Sequence, residues 1–172
     1  SVDPIGQERI LGDGEQQYPR WLDRFLLAAE AGLPVGIVFT VTREHTSIAR
    51  QIYSFFKNLQ TLSRHPVPVR FNPVSAAGRA AAGSALDFIP SPEDYGEFLY
   101  QLWELWERDG RTLHFSPLKE WHAGSGLSCE YTGSCQQSIF AVDGKGDIYH
   151  CGRFADTAPP CGTVPDRALA DA

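Results

Sequence analysis

Between Cys129 and Phe154 the chain reads CEYTGSCQQSIFAVDGKGDIYHCGRF, a stretch that sets three thiols around one prospective hairpin. Cys129 and Cys135 flank a five-residue loop containing Gly133, and Cys151 closes a segment that turns at Asp143-Gly144-Lys145-Gly146. Ile139-Phe140-Ala141-Val142 and Ile148-Tyr149 are strand formers, and the residues between them tolerate positive φ, so a hairpin is expected. Folding at that turn brings Cys151 back beside Cys135. In an intracellular protein, converging thiolates usually hold a soft ion, because iron–sulfur clusters take cysteine sulfur and zinc takes the same ligand. The alternatives are a disulfide pair or inert buried cysteines. The tight loop, its glycine and the hairpin aimed back at it favour a metal or cluster site.

Composition narrows the setting of that site. With 172 residues, 42% hydrophobic and 21% charged, the chain can bury one substantial core. A net charge of -6 argues against a nucleic-acid partner, whose phosphates need a positive field. No apolar run reaches the roughly 20 residues of a membrane span, and no basic start followed by an apolar stretch marks a signal peptide. A cytoplasmic, reducing setting is expected, where 4 cysteines are too few for a disulfide scaffold. Ser1 at the start, the lack of methionine and the polar tail VPDRALADA make the chain read as an internal piece of a longer protein.

Along the chain, SVDPIGQERILGDG resembles a strand end followed by a glycine-rich loop. Trp21, Leu22, Phe25, Leu26 and Ala29 recur at helical spacing, so a helix is expected from about Tyr18 to Ala31, with Gly32 as its C-terminal cap. The continuous apolar run from Val35 to Val41 predicts a parallel strand covered on both faces. A second helix is expected over 47–62, with Ile48, Ile52, Phe55, Phe56 and Leu59 inward, and a strand over 67–71. Helix, strand, helix, strand with short connections predicts a parallel α/β sheet. Ligands of such sheets gather at the strands' carboxyl ends. The candidates there are Ser1 and Asp3, then Thr42, Arg43, Glu44 and His45, then Asn72. Capping or surface roles are the plainer reading of each, and His45 in particular reads as a surface-loop histidine.

The small-residue stretch between Ser75 and Ala85 reads as a linker; it lacks the lysine and hydroxyl of a phosphate-binding loop. Ser91, Pro92 and Asp94 then start the clearest helix, which Asp109-Gly110 stops. Its aromatic stripe, Tyr95 to Trp106, is expected in the core. A short strand over 112–115 and a short helix over 116–122, capped by Ser116, lead to the cysteines.

The order of these parts resembles the second half of a radical S-adenosylmethionine (radical SAM) enzyme with a SPASM domain, a group that includes anaerobic sulfatase-maturating enzymes and peptide maturases. The resemblance is carried by SVDP at 1–4, VGIVFTVTRE at 35–44, VRFNPV at 69–74 and SPEDYGEFLYQLWELWERDG at 91–110. Its most specific part is C-x5-C followed by V-D-x-x-G-D-I-Y-x-C-x-x-F. It implies an α/β fold in which residues 1–127 form the second half of a partial TIM-like barrel with its last helix at 91–110, followed over 128–172 by a truncated, small α+β SPASM domain with a cysteine-flanked hairpin. It implies an auxiliary 4Fe–4S cluster on Cys129, Cys135 and Cys151, and places Ser1 and Asp3 at the edge of the SAM site. In the parent protein a 5'-deoxyadenosyl radical abstracts hydrogen from a peptide or protein substrate, with flavodoxin or ferredoxin as reductant and neither nucleic acid nor membrane as partner.

The departures refine that expectation. The chain has no C-x3-C-x2-C motif for the catalytic cluster, so alone it is expected to be inactive. The later C-x2-C-x5-C group of SPASM domains is also absent. Cys161 stands where the family usually has leucine in an L-G-N-like turn, here C-G-T; it is the lesser candidate for a fourth ligand and otherwise an unpaired surface thiol. Gly152 replaces the aspartate that sulfatase-maturating enzymes carry after the third cysteine, which turns the expectation towards peptide maturation or an uncharacterised branch. Pro4 replaces the motif glycine at the SAM edge. Two other readings stand beside the enzyme: a zinc-stabilised binding domain using all four cysteines, and a scaffold of the same fold without a cluster.

Overall fold

The computed structural model describes residues 17–76, 83–124, 140–152 and 158–164. The expected first strand and its loop, residues 1–14, lie outside these. The chain divides into two compact units, Ser1–Val74 with Phe88–Ser125, and Ser75–Asp87 with Gly126–Ala172.

In the first unit, α1 (Gln17–Glu30) buries Phe25 and Ala29, and Trp21 stacks on Phe25. It ends as the sequence predicts. Gly32 takes φ +73, the Leu33 N–H donates to the Ala28 carbonyl and the Gly32 N–H to that of Ala29, a Schellman closure. After β1 (Ile37–Val41) comes α2 (Arg43–Thr46), a single turn, and then α3 (Ala49–Ser63), which buries Ile52, Tyr53, Phe56 and Leu59. β2 (Val69–Pro73) follows, then a 3₁₀ turn over Gly83–Phe88 that begins in what reads as a linker and runs past its end.

Ser91 opens α4 (Pro92–Arg108) by accepting the Asp94 N–H at its hydroxyl, and α4 buries Tyr95, Phe98, Leu99, Leu102 and Trp106. The aromatic stripe is core, as expected. Two of its members also satisfy buried carbonyls: Tyr95 Oη donates to Phe71 O and Trp106 Nε1 to Leu113 O. β3 is shorter and later than expected (Phe115–Ser116), so Ser116 is a strand residue. The helix after it, α5 (Leu118–Ala123), starts from Pro117, with no side-chain cap, instead of from Ser116. The Ser116–Pro117 peptide bond is cis.

The three strands form one parallel sheet in the order β1-β2-β3, in register Val38↔Arg70↔Ser116 and Thr40↔Asn72. α3 and α4 pack on the same face. Phe56 of α3 and Phe98 of α4 both meet Phe71 of β2, and Phe56 also meets Phe39 and Phe115. The expectation of a strand covered on both faces is therefore corrected. In β1, Ile37, Phe39 and Val41 are buried, whereas Val38 is 47% exposed on the opposite face. Successive crossovers that advance in one direction with one hand deposit their helices on one side of a sheet. The face carrying Val38, Arg70 and Ser116 is covered by neither α3 nor α4, and α5 borders it through Lys119 and Glu120.

Asp109, just past α4, ties three segments together. It accepts hydrogen bonds from Tyr53 Oη at 2.9 Å and Thr112 Oγ1 at 3.0 Å, and pairs closely with Lys57. The Lys57 hydrogen bond, followed by those of Tyr53 and Thr112, holds the Asp109 carboxyl below its ordinary value of 3.8. A depressed carboxyl stabilises the fold fully above that ordinary value and loses the contribution as pH falls through it and below. Asp109→Asn is expected to cost about 1–2 kcal/mol at neutral pH, given the exposure of Lys57. In urea titrations the gap from the parent should narrow by about pH 3; an unchanged gap would count against Asp109's charge as its source.

The second unit contains an antiparallel sheet in the order β4-β5-β6, from β4 (Ala141–Val142), β5 (Asp147–Tyr149) and β6 (Gly162–Thr163). The hairpin read from the sequence is present: Ala141 pairs with Tyr149 and Val142 with Ile148. Asp143 makes the turn by accepting the backbone N–H groups of Lys145 and Asp147 at Oδ1, the local habit that suits Asp to turns. Gly146 takes φ +88, and a Cβ there would sit 3.3 Å from Val164 O. Gly146→Ala is expected to destabilise the hairpin by about 1–2 kcal/mol, read as faster amide exchange at Ile148 and Tyr149.

Candidate functional site

The sheet's carboxyl edge is built first by β1. Where it ends, Thr42 is extended, and its N–H donates to His45 Nδ1 at 3.1 Å, with the threonine hydroxyl at the same distance. Accepting that N–H leaves the ring proton on Nε2. His45 is buried, with its ring centroid 4.9 Å from that of Phe39, which corrects the reading of a surface-loop histidine. One turn of helix directly after the strand folds the imidazole back onto the strand that precedes it. Arg43 donates from Nη2 to Ile89 O at 3.1 Å, tying the edge to the segment before α4. Glu44 is exposed and Asn72 half-buried. The strand-end residues thus serve partly as local structure.

The cysteine segment is described in part. Cys151 is half-buried and lies two residues beyond β5; Cys161 is exposed and lies just before β6. C-G-T, expected as a turn, instead enters a strand: β6 pairs antiparallel with β5, and Thr163 Oγ1 donates to Asp147 Oδ1. The Cys161 backbone N–H and thiol both point to Ile148 O, at 2.8 and 3.2 Å. Cys161 is therefore anchored on the strand that runs into Cys151. Cys129, Cys135, Ser1 and Asp3 lie outside the described residues. Among the described residues, no group of three or more His, Cys, Asp or Glu side chains could hold a metal ion.

No family model, curated protein or solved structure matches the chain.

One further constellation lies on the open face of the parallel sheet. Val38, Arg70 and Ser116 of one register row, with Lys119 and Glu120 of α5, line a recess of about 360 Å³. Glu120 Oε2 is buried without a hydrogen-bond partner among the described residues, a state that costs about 1–3 kcal/mol or more for a charged group. The sequence held a signal for this face. Val69-Arg70-Phe71-Asn72 alternates apolar and polar, the pattern of a strand with one wet side. Among the described residues, no helix is long and apolar enough to cross a membrane.

Proposed function

We propose that the chain is the C-terminal part of a cytoplasmic radical SAM oxidoreductase with a SPASM domain, one that modifies a side chain of a peptide or protein. The observation that carries this reading is the one-directional winding of the parallel sheet, with both crossover helices on one face and the row Val38, Arg70 and Ser116 on the other. A barrel segment is wound this way, with its helices outside the sheet and its site at the carboxyl ends of the strands. The cysteine-bearing hairpin after that sheet fits the resemblance in order and spacing.

The donor set suits an iron–sulfur cluster in chemical type, since cysteine thiolate is its ordinary ligand. Cys129, Cys135 and Cys151 are the residues proposed to hold the auxiliary cluster, which when bound would supply an electron acceptor or a substrate contact. The chain's described part is to carry Cys151 just beyond β5, while Asp143 and Gly146 keep the hairpin closed. Ser1 and Asp3 are proposed at the SAM edge. Without C-x3-C-x2-C, this chain depends on a preceding half for the SAM-cleaving cluster.

One observation favours a second reading. The β5–β6 pairing fastens Cys161 to the strand leading into Cys151, which suits a closed four-thiolate zinc site formed with Cys129 and Cys135. Anaerobic reconstitution with iron and sulfide separates the two. A brown protein with roughly four irons per chain is the result expected of the oxidoreductase reading. A colourless protein that takes about one zinc and no iron points to the structural site. Binding of neither metal would overturn both.

A further inference from the structure

We propose that the recess on the open face of the parallel sheet binds a small aliphatic α-amino acid as its zwitterion, the ammonium group on Glu120 and the carboxylate on Lys119. The site rests on the first unit alone and would exist whether or not the cysteines hold a cluster. Its floor is the register row Val38, Arg70 and Ser116, and its lower margin is Gly36, Pro68 and His114, the residues just before each strand. It therefore lies towards the amino ends of the strands, away from the edge formed by Thr42 and His45.

The chemistry of the lining selects the ligand. Glu120 carries a buried oxygen with no donor among the described residues, and an ionised carboxylate can only accept. The last torsion of a glutamate is broad and two-fold, so either oxygen can turn to a donor entering the recess. Lys119 lines the same recess, so a simple cation meets repulsion there. A simple anion is opposed by Glu120. A molecule with an ammonium and a carboxylate close together satisfies both signs.

Shape limits the rest of the molecule. A volume of about 360 Å³ lies at the lower end of the ~300–1,000 Å³ of small-molecule sites. Val38, 47% exposed in the middle of its strand, and Pro68 offer an apolar wall for an aliphatic side chain.

The test is an amide NMR titration of the whole chain, without added iron, using L-leucine as the probe. Saturable shifts at Val38, Arg70 and Ser116 with a Kd of about 1 mM are expected. Glu120→Gln should weaken binding ~10-fold and Lys119→Met ~3-fold, and isoamylamine and N-acetyl-L-leucine, each lacking one charge, should each bind ~10-fold more weakly than leucine. Lys119 is exposed, so its variant tests the carboxylate half even where Glu120→Gln disturbs packing. The site is overturned by the absence of saturable shifts up to roughly 20 mM, by shifts confined to other residues, or by equal binding of the one-charge analogues.

Discussion

Replacing Phe71 by alanine is expected to lower the unfolding free energy by about 3–5 kcal/mol. Phe71 is fully buried in the middle strand, and its ring makes edge contacts with Phe39, Phe56, Phe98 and Phe115. Those four rings come from β1, α3, α4 and β3, so one side chain joins all three strands to the two helices packed on them. Truncation removes its transfer free energy and leaves a cavity that rigid neighbouring rings cannot close, which puts the cost at the upper end for a core substitution. Domains of this size have only about 5–15 kcal/mol of net stability. The midpoint of urea unfolding should fall steeply for Phe71→Ala. At Tyr100, exposed on α4, alanine should shift it by no more than about 0.5 kcal/mol. Equal shifts at the two positions would show that the core is not centred on β2.

The second large effect is expected at the cysteines. On the proposed reading, Cys151→Ala and Cys135→Ala each abolish iron uptake by the hairpin segment, whereas Cys161→Ala leaves most of it. Cys151 is half-buried at the end of a paired strand, while Cys161 is exposed with its thiol already turned to Ile148 O. Iron and sulfide counts on the three variants after anaerobic reconstitution provide the check. Equal iron loss in all three would place Cys161 among the ligands and overturn the three-thiol assignment; loss of zinc binding in all three would favour the four-thiolate site.

Much of the architecture was legible because its signals are local. α1 ends at Gly32 and α4 begins at Ser91-Pro92, as the residues themselves dictate: only glycine takes the left-handed closing position without strain, and a serine hydroxyl satisfies an otherwise orphaned N–H. The turn at Asp143 is equally local, made by a side chain bonding its own backbone. α2 and β6 were not legible, being too short for any period to register. β6 exists because β5 offers it a partner, Asp147 with Thr163 and Ile148 with Gly162, residues distant in the chain. The burial of His45 was hidden for a similar reason: its sequence neighbours are polar, and what buries it is the turn that brings it back onto Phe39.

The same division holds for the candidate sites. The sequence by itself determined which residues can bond a soft metal, where α1 ends and α4 begins, and that the strands pair in parallel, because thiol chemistry, capping and crossover length act through near neighbours. Tertiary structure decided which face of the sheet the helices cover. An apolar run such as Ile37–Val41 has buried-strand character on both sides, and only the hand and direction of the crossovers put α3 and α4 together on one of them. That choice left Arg70, Ser116 and Glu120, from three separate elements, around one recess.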